Sequence, residues 1–233
     1  AISPAWPMLL ETHKAEAWQL FEKLAEDSNA RVGKAAAMSP AWPMVLETHY
    51  AEAWQLFQKL ATTDHDEKVR LGATKSPAWP MLLETHKAEA WQLFEKLADD
   101  RDVRFRKDVA MSSAWPALVR SNAWEAWRVF TKLMSDQELR HKVYLPDSTA
   151  WAAFRAVPRA AVEEHLDSCT PTNLQEMAMS AQKVADNGFT PNVKDLPLVK
   201  GLGNRLQRSA NETWLGKMAE MPLFAGNAAQ RLI

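Results

Sequence analysis

Three times along the chain, a histidine lies between two glutamates in the spacing Glu-x-His-x-x-Glu. The groups are Glu11, His13 and Glu16; Glu47, His49 and Glu52; and Glu84, His86 and Glu89. Imidazole and carboxylate groups bind zinc and act as general bases. On a helix, however, residues two apart point about 200° apart, so one group does not converge on an ion. We predict no metal or cofactor, and expect the histidines to form a ladder of copied polar residues or a row that binds a partner.

A second pair of reactive side chains lies near the C-terminal end. Cys169 follows His165 by four residues on a predicted helix, so the two side chains can touch. A thiol beside an imidazole could act as a nucleophile, but the sequence shows neither a shaped pocket nor a third orienting group. We therefore predict no catalytic residues and no enzyme activity in this chain. A single cysteine also excludes an intrachain disulfide and a cysteine-ligated zinc site.

The histidine groups lie inside longer repeats. Residues 3–27 read SPAWPMLLETHKAEAWQLFEKLAED and return at 76–100 with a single Glu-to-Asp difference. Four units and a weaker fifth, spaced 36 or 37 residues apart, start at Ser3, Ser39, Ser76, Ser112 and Ser148. Such self-similarity is typical of repeat architectures. The sequence predicts a helical repeat array over residues 1–157, followed by a helical C-terminal region over 158–233.

The apolar residues within a unit follow a helical period. In the first unit they form one stripe of an amphipathic helix, made of Leu10, Ala17, Trp18, Phe21 and Leu24. We predict Ser3 as an N-cap with Pro4 at the first helical position, and one long helix over Pro7–Ala25, bent near Thr12. The alternative is two short helices, which would make a three-helix unit as in armadillo repeats. A polar turn and a shorter helix complete the unit.

One such unit cannot bury its apolar face alone, so we expect neighbouring units to stack as an all-α solenoid with a helical cap. The Asp-rich turns followed by Val-Arg resemble HEAT repeats, in DDRDVR at 99–104 and DEKVR at 66–70. One tryptophan series is predicted to be core: Trp18, Trp54, Trp91 and Trp127. A second series is expected either to clamp the preceding unit or to form an exposed row: Trp6, Trp42, Trp79, Trp115 and Trp151.

The charge balance argues against a nucleic-acid-binding protein. The formal net charge is −1, whereas proteins that bind nucleic acid usually have a strong basic excess. Basic residues do cluster at Arg101, Arg104, Arg106 and Lys107. Because aspartates are interleaved with them, we expect a solvated face of mixed charge, and these four residues are our candidate contacts with a protein partner.

The sequence contains no apolar run near the ~20 residues of a membrane-spanning helix, and no signal peptide. The chain starts at Ala1, without a methionine, and enters the repeat at once. We therefore expect a fragment of a longer protein.

The recurrent Ser-Pro-Ala-Trp-Pro motif resembles that of the SKWP-repeat proteins, large type III effectors of plant-pathogenic bacteria such as Ralstonia and Xanthomonas. It occurs, weakened in the fourth unit, at Ser3–Pro7, Ser39–Pro43, Ser76–Pro80 and Ser112–Pro116. The segment Thr172–Ala185 is similar to helices of that family. The resemblance implies HEAT/armadillo-like repeats, type III secretion into a host cell and binding of host components. This motif has one more residue than Ser-Lys-Trp-Pro, the unit is shorter than the family's, and no catalytic residues carry over.

The sequence thus predicts a non-catalytic repeat scaffold that has no cofactor and binds a protein partner. Two alternatives stay open. Some α-solenoids bind RNA one base per repeat, and this chain could be one of them. It could also be the substrate-docking arm of an enzyme whose catalytic domain lies elsewhere in the parent protein.

Overall fold

Helices joined by short turns make up the residues that the computed structural model describes, which are 6–62, 66–140, 148–189, 193–208, 218 and 220–225. No strand occurs among these residues, which confirms the predicted all-α class for them. The chain divides into two compact units, Ala1–Ser121 and Asn122–Ile233. The predicted boundary near residue 157 marks where the sequence repetition ends. That boundary lies inside the second unit and stays a prediction.

Each of the first three copies folds as three helices, which we name A, B and C in chain order. The A helices are α1 (Trp6–Thr12), α4 (Trp42–Thr48) and α7 (Trp79–Thr85), and the fourth copy adds α10 (Trp115–Ser121). The B helices are α2 (Lys14–Ala25), α5 (Tyr50–Thr62) and α8 (Lys87–Ala98). The C helices are α3 (Ala30–Ala37), α6 (Glu67–Thr74) and α9 (Val103–Ala110).

The prediction of one long helix per unit is wrong, because the chain breaks at the repeated histidine. His13 has φ −135° and ψ 57°, and His49 and His86 have similar angles. The preceding threonine uses its hydroxyl to hydrogen-bond the carbonyl four residues earlier, as Thr12 does to Met8 at 2.8 Å. Such bonding back to the helix often bends it. The three-helix alternative is the correct one.

The polar residues before the helices have two different roles. The C helices are capped as turn chemistry predicts, since the side chains of Asn29, Asp66 and Asp102 each accept a hydrogen bond from the backbone N–H two residues on. In copies two and three the A helices are not capped by the repeat serine, since their N-cap residues are Ala41 and Ala78. Ser39 accepts from the N–H of Ala41 within a turn, and α4 begins only after that turn. Ser3 and Pro4 lie outside the described residues.

A column of alternating tryptophan and phenylalanine rings forms the core of the first unit. Successive ring centroids lie 5.0 to 5.4 Å apart, with planes crossed at 83 to 90°, a favourable edge-to-face geometry. The members in order are Trp6, Phe21, Trp42, Phe57, Trp79, Phe94 and Trp115. We call this set the aromatic column. Its tryptophans come from the A helices and its phenylalanines from the B helices.

The column tryptophans clamp the copy that precedes them. The indole N–H of Trp42 donates to the carbonyl of Ala36 at 2.9 Å, and its ring packs on Phe21, so both partners belong to copy one. Trp79 repeats this arrangement with Ala73 and Phe57. All five tryptophans of this series are buried. The clamp prediction is therefore confirmed for Trp42 and Trp79, and the exposed-row alternative is wrong.

In the other tryptophan series, one of the four members is less buried than predicted. Trp54, Trp91 and Trp127 are buried, as expected for core residues. Trp18 is only half-buried, so the core prediction is wrong for the first copy. Because copies one and three have the same B-helix sequence, this difference arises from their neighbours and not from the helix itself.

The second unit has its own helical core. Its helices are α11 (Ala123–Ser135), α12 (Gln137–Arg140), α13 (Thr149–Arg155), α14 (Arg159–Ser168), α15 (Pro171–Val184), which continues as a π-helical turn at Ala185–Phe189, α16 (Pro197–Arg208) and α17 (Pro222–Ala225). The ring of Trp127 meets Phe154 at 5.4 Å, and its N–H donates to Ser180. Gly201 lets α16 approach α14, because a Cβ there would lie 2.6 Å from Val162.

Candidate protein-interaction surface

Two of the three repeated histidines join neighbouring copies. The ring of His49 stacks on Trp18 of the preceding copy, with centroids 5.1 Å apart and planes within 13°. His86 stacks in the same way on Trp54 at 5.1 Å, and also on Tyr50 at 4.2 Å. The break between the A and B helices is what brings each imidazole against the B helix of the copy before it.

Among the described residues His13 makes no such stacking contact, and its side chain is exposed. The predicted histidine ladder therefore contains two rings that contribute to the contact between copies and one that faces solvent. The six glutamates around the histidines are all exposed. Among the described residues, no group of three histidine, cysteine or carboxylate side chains could hold a metal ion.

The basic cluster of the third copy lies on the turn before α9 and on α9 itself. Arg101, Arg104 and Lys107 are exposed. Arg104 forms an ion pair with Asp102 at 3.1 Å, and the hydrogen bonds that its guanidinium donates to that carboxylate raise the pKa of the guanidinium above its usual value. Arg106 is different, because its guanidinium donates to the backbone carbonyls of Asp100 at 2.7 Å and Arg101 at 3.0 Å. Arg106 thus holds the turn in place.

A repeated polar face on the B helices was missed by the sequence analysis. Each B helix exposes a glutamate, a glutamine and a lysine at positions i, i+3 and i+7, which place them on one side of a helix. The members are Glu16, Gln19 and Lys23 on α2; Glu52, Gln55 and Lys59 on α5; and Glu89, Gln92 and Lys96 on α8. We call this set the B-helix face. The sequence signal for this face is the polar stripe that lies opposite the apolar stripe on each B helix.

The B helices that carry this face are neighbours in space. Helix α5 contacts both α2 and α8. Lys59 on α5 donates to Glu26, which follows α2, at 2.5 Å, so the polar surfaces of copies one and two are linked directly. The stripes of glutamate, glutamine and lysine therefore lie side by side, one per copy.

A groove opens on this surface between α5 and α8. It has a volume of 340 Å³. Its walls are mostly polar and its one aliphatic member is buried; the lining residues are Gln58, Thr62, Glu89, Gln92, Leu93 and Lys96. A groove of this composition offers hydrogen-bond donors, acceptors and both charges to a bound segment.

The thiol and imidazole near the end of α14 do meet, as their spacing predicted. The Sγ atom of Cys169 lies 3.6 Å from Nε2 of His165. Partial burial raises the pKa of the Cys169 thiol and lowers that of the His165 imidazole. Both shifts favour the neutral forms, whereas a reactive cysteine needs its thiolate.

Within the described part of the chain, no helix combines the length and apolar character needed to cross a membrane. Comparisons with family models, with curated proteins and with solved structures each found no match. The surface chemistry described above is therefore what bears on function.

Proposed function

We propose that this chain is a non-catalytic scaffold, an α-solenoid of HEAT/armadillo-like repeats, that binds a protein partner on the B-helix face. The observation that carries the proposal is the same trio of exposed glutamate, glutamine and lysine on three neighbouring B helices. A row of identical groups at regular spacing suits an extended or repetitive partner, since each copy can make the same contact. Repeat proteins use such extended surfaces for binding.

The core beneath this face supports a binding role. The buried rings of the aromatic column fix the spacing of the B helices, so the polar groups are held in register before a partner arrives. Pre-organisation of this kind lowers the entropy lost on binding. Glutamine supplies both a donor and an acceptor and therefore matches the backbone amides of a protein chain.

The charges on the B-helix face favour a protein over a nucleic acid. Each copy contributes one glutamate for each lysine, so the face carries no net charge and does not attract a phosphate backbone. We expect the partner to present paired charges and free backbone groups. The RNA-binding alternative predicts salt-dependent retention on immobilised RNA, which our proposal does not.

We also propose that the chain is part of a large bacterial effector that reaches a host cell through a type III system. The support for this is the resemblance of the Ser-Pro-Ala-Trp-Pro motifs to those of the SKWP-repeat proteins. Because of this resemblance, plant-cell extract is the first source in which to search for partners.

The proposal is tested by affinity capture from plant-cell extract with three forms of the full chain, quantified by mass spectrometry. The first form is unaltered, the second carries Gln55→Ala and Gln92→Ala, and the third carries Arg104→Ala and Lys107→Ala. All substituted residues are exposed, so circular dichroism should show equal helix content. We expect specific partners to be lost by the glutamine variant and kept by the basic-cluster variant.

Two results would contradict the proposal. If the glutamine variant keeps every partner while the basic-cluster variant loses them, the contact surface is the turn before α9 instead of the B-helix face. If no protein is enriched above bare resin by any form, the scaffold function itself fails. Arg106 is left unaltered in these variants because its loss would disturb the turn.

A further inference from the structure

Residues at equivalent positions of copies one and three have the same identity but different exposure. Leu20 is 46% exposed, whereas Leu93 at the same place in copy three is 5% exposed, as is Leu56 in copy two. Met8 is 62% exposed, whereas Met81 is only half-exposed. Leu9 is half-buried, whereas Leu82 is fully buried. Since the local sequences are identical, the difference lies in what covers each residue.

In copies two and three, the covering surface is the preceding copy. Helix α5 contacts α2, and α8 contacts α5. The contact between copies one and two includes the stack of His49 on Trp18, the ion pair of Lys59 with Glu26, and two contacts of Trp42. Its ring packs on Phe21 and its N–H donates to the carbonyl of Ala36. We call the side of this contact that belongs to copy two the receiving side. It consists of a histidine, a tryptophan, a lysine and the leucine equivalent to Leu20.

Copy one has the same receiving side. Its accessible members are His13, Leu20 and Lys23, which correspond to His49, Leu56 and Lys59 of copy two, whereas Trp6, the equivalent of Trp42, is already buried. His13 and Lys23 are exposed together with Leu20 and Met8. We call this set, with Met8 and Leu9, the leading face. The equivalent side chains of copy two bind the preceding copy within the same compact unit.

We propose that the leading face is a binding site for one further repeat of this same kind. The occupant presents a B-helix tryptophan to His13 and an acidic residue to Lys23, as copy one does toward copy two. The chemistry of the site is thus set by a contact that the structure already contains. The two faces share Lys23, but the inference does not depend on the proposed partner surface, because it is tested at Leu20, which is not part of the B-helix face.

The test adds a repeat to the full chain and measures protection of position 20. A second copy of residues 3–38 is fused in front of Ser3, which reproduces the junction found between Met38 and Ser39 and supplies the acidic residue equivalent to Glu26. The reporter is Leu20→Cys in a Cys169→Ser background, labelled with a thiol reagent, and Leu56→Cys is the matched buried control. Labelling at position 20 should be fast in the original chain and should fall to the rate of the control in the extended chain.

Circular dichroism of the extended chain gives a second measurement. Helix content should rise by the amount of one additional three-helix repeat. If labelling of Leu20→Cys stays fast, or if the added segment remains unfolded, the leading face does not bind a repeat and the inference is overturned. A concentration-dependent dimer of the original chain that Leu20→Glu abolishes would also overturn it, because the occupant would then be a second copy of the chain.

Discussion

Trp79 provides the most direct test of the aromatic column. Its side chain is fully buried. Its ring packs edge-to-face between Phe57 at 5.4 Å and Phe94 at 5.2 Å, and so joins copies two and three. Its indole N–H donates to the carbonyl of Ala73 at 2.9 Å. The substitution Trp79→Ala removes all of these contacts at once.

The expected loss of stability follows from these contacts. Replacing a buried tryptophan with alanine costs about 3–5 kcal/mol, part of it from the cavity that is left. The two edge-to-face contacts place Trp79→Ala in the upper part of this range, since such ring pairs are worth ~0.5–1.5 kcal/mol each beyond burial. The Ala73 carbonyl also loses its donor, at a cost of about 1 kcal/mol.

The matched control is Trp18→Ala, at a half-buried tryptophan that stacks on His49. Partial burial limits its hydrophobic contribution, so we expect a loss of about 1–2 kcal/mol. Trp79→Phe keeps an aromatic ring but not the N–H donor, and its loss should fall between those of the two alanine variants.

Urea unfolding followed by circular dichroism measures these differences through the free energy of unfolding extrapolated to water. Because the chain has two compact units, hydrogen exchange of the α6 and α7 amides is measured alongside to report on the first unit alone. A loss below about 1 kcal/mol for Trp79→Ala, the average for any substitution, would refute the column as the main core. Equal losses for Trp79→Ala and Trp18→Ala would refute it as well.

Three further predictions follow from local geometry. Gly201→Ala should destabilise the second unit by about 1–3 kcal/mol in thermal unfolding, since the new Cβ would lie 2.6 Å from Val162. Asp102→Ala should cost ~1 kcal/mol, because the carboxylate caps α9 by accepting the N–H of Arg104 at 2.8 Å; an unchanged unfolding midpoint would contradict this. Burial raises the pKa of the Cys169 thiol, so its labelling rate should still be rising with pH where that of an unfolded-peptide thiol has levelled off.

The sequence was sufficient to predict the helical class and the clamp of the column tryptophans as one of two alternatives. Both depend on local patterns: an apolar stripe with helical period, and a tryptophan at the start of each A helix. The sequence was insufficient at the histidines. Thr12 and His13 are ordinary helix residues by propensity. The sequence therefore could not distinguish a break between α1 and α2 from a bend within one long helix. At the equivalent break between α4 and α5, the ring of His49 stacks on Trp18, which is a contact between copies.

The B-helix face was present in the sequence as a polar stripe, but the apolar stripe drew the analysis to the core. The basic cluster was visible as four residues in a short segment. Only the structure separates Arg106, which binds the carbonyls of Asp100 and Arg101, from the exposed Arg104 and Lys107. The direction in which a side chain points depends on the turn geometry, which composition does not encode.

By itself, the sequence determined that the chain is helical and that its units repeat, because helical period and self-similarity are properties of the letters alone. Only the tertiary structure decided which residues of the identical segments are buried by a neighbouring copy. Leu20 and Leu93 occupy the same place in the same helix sequence, yet one is 46% exposed and the other 5%. The physical reason is that burial in a repeat protein is contributed by the neighbouring copy, and residue identity within one copy does not contain that information.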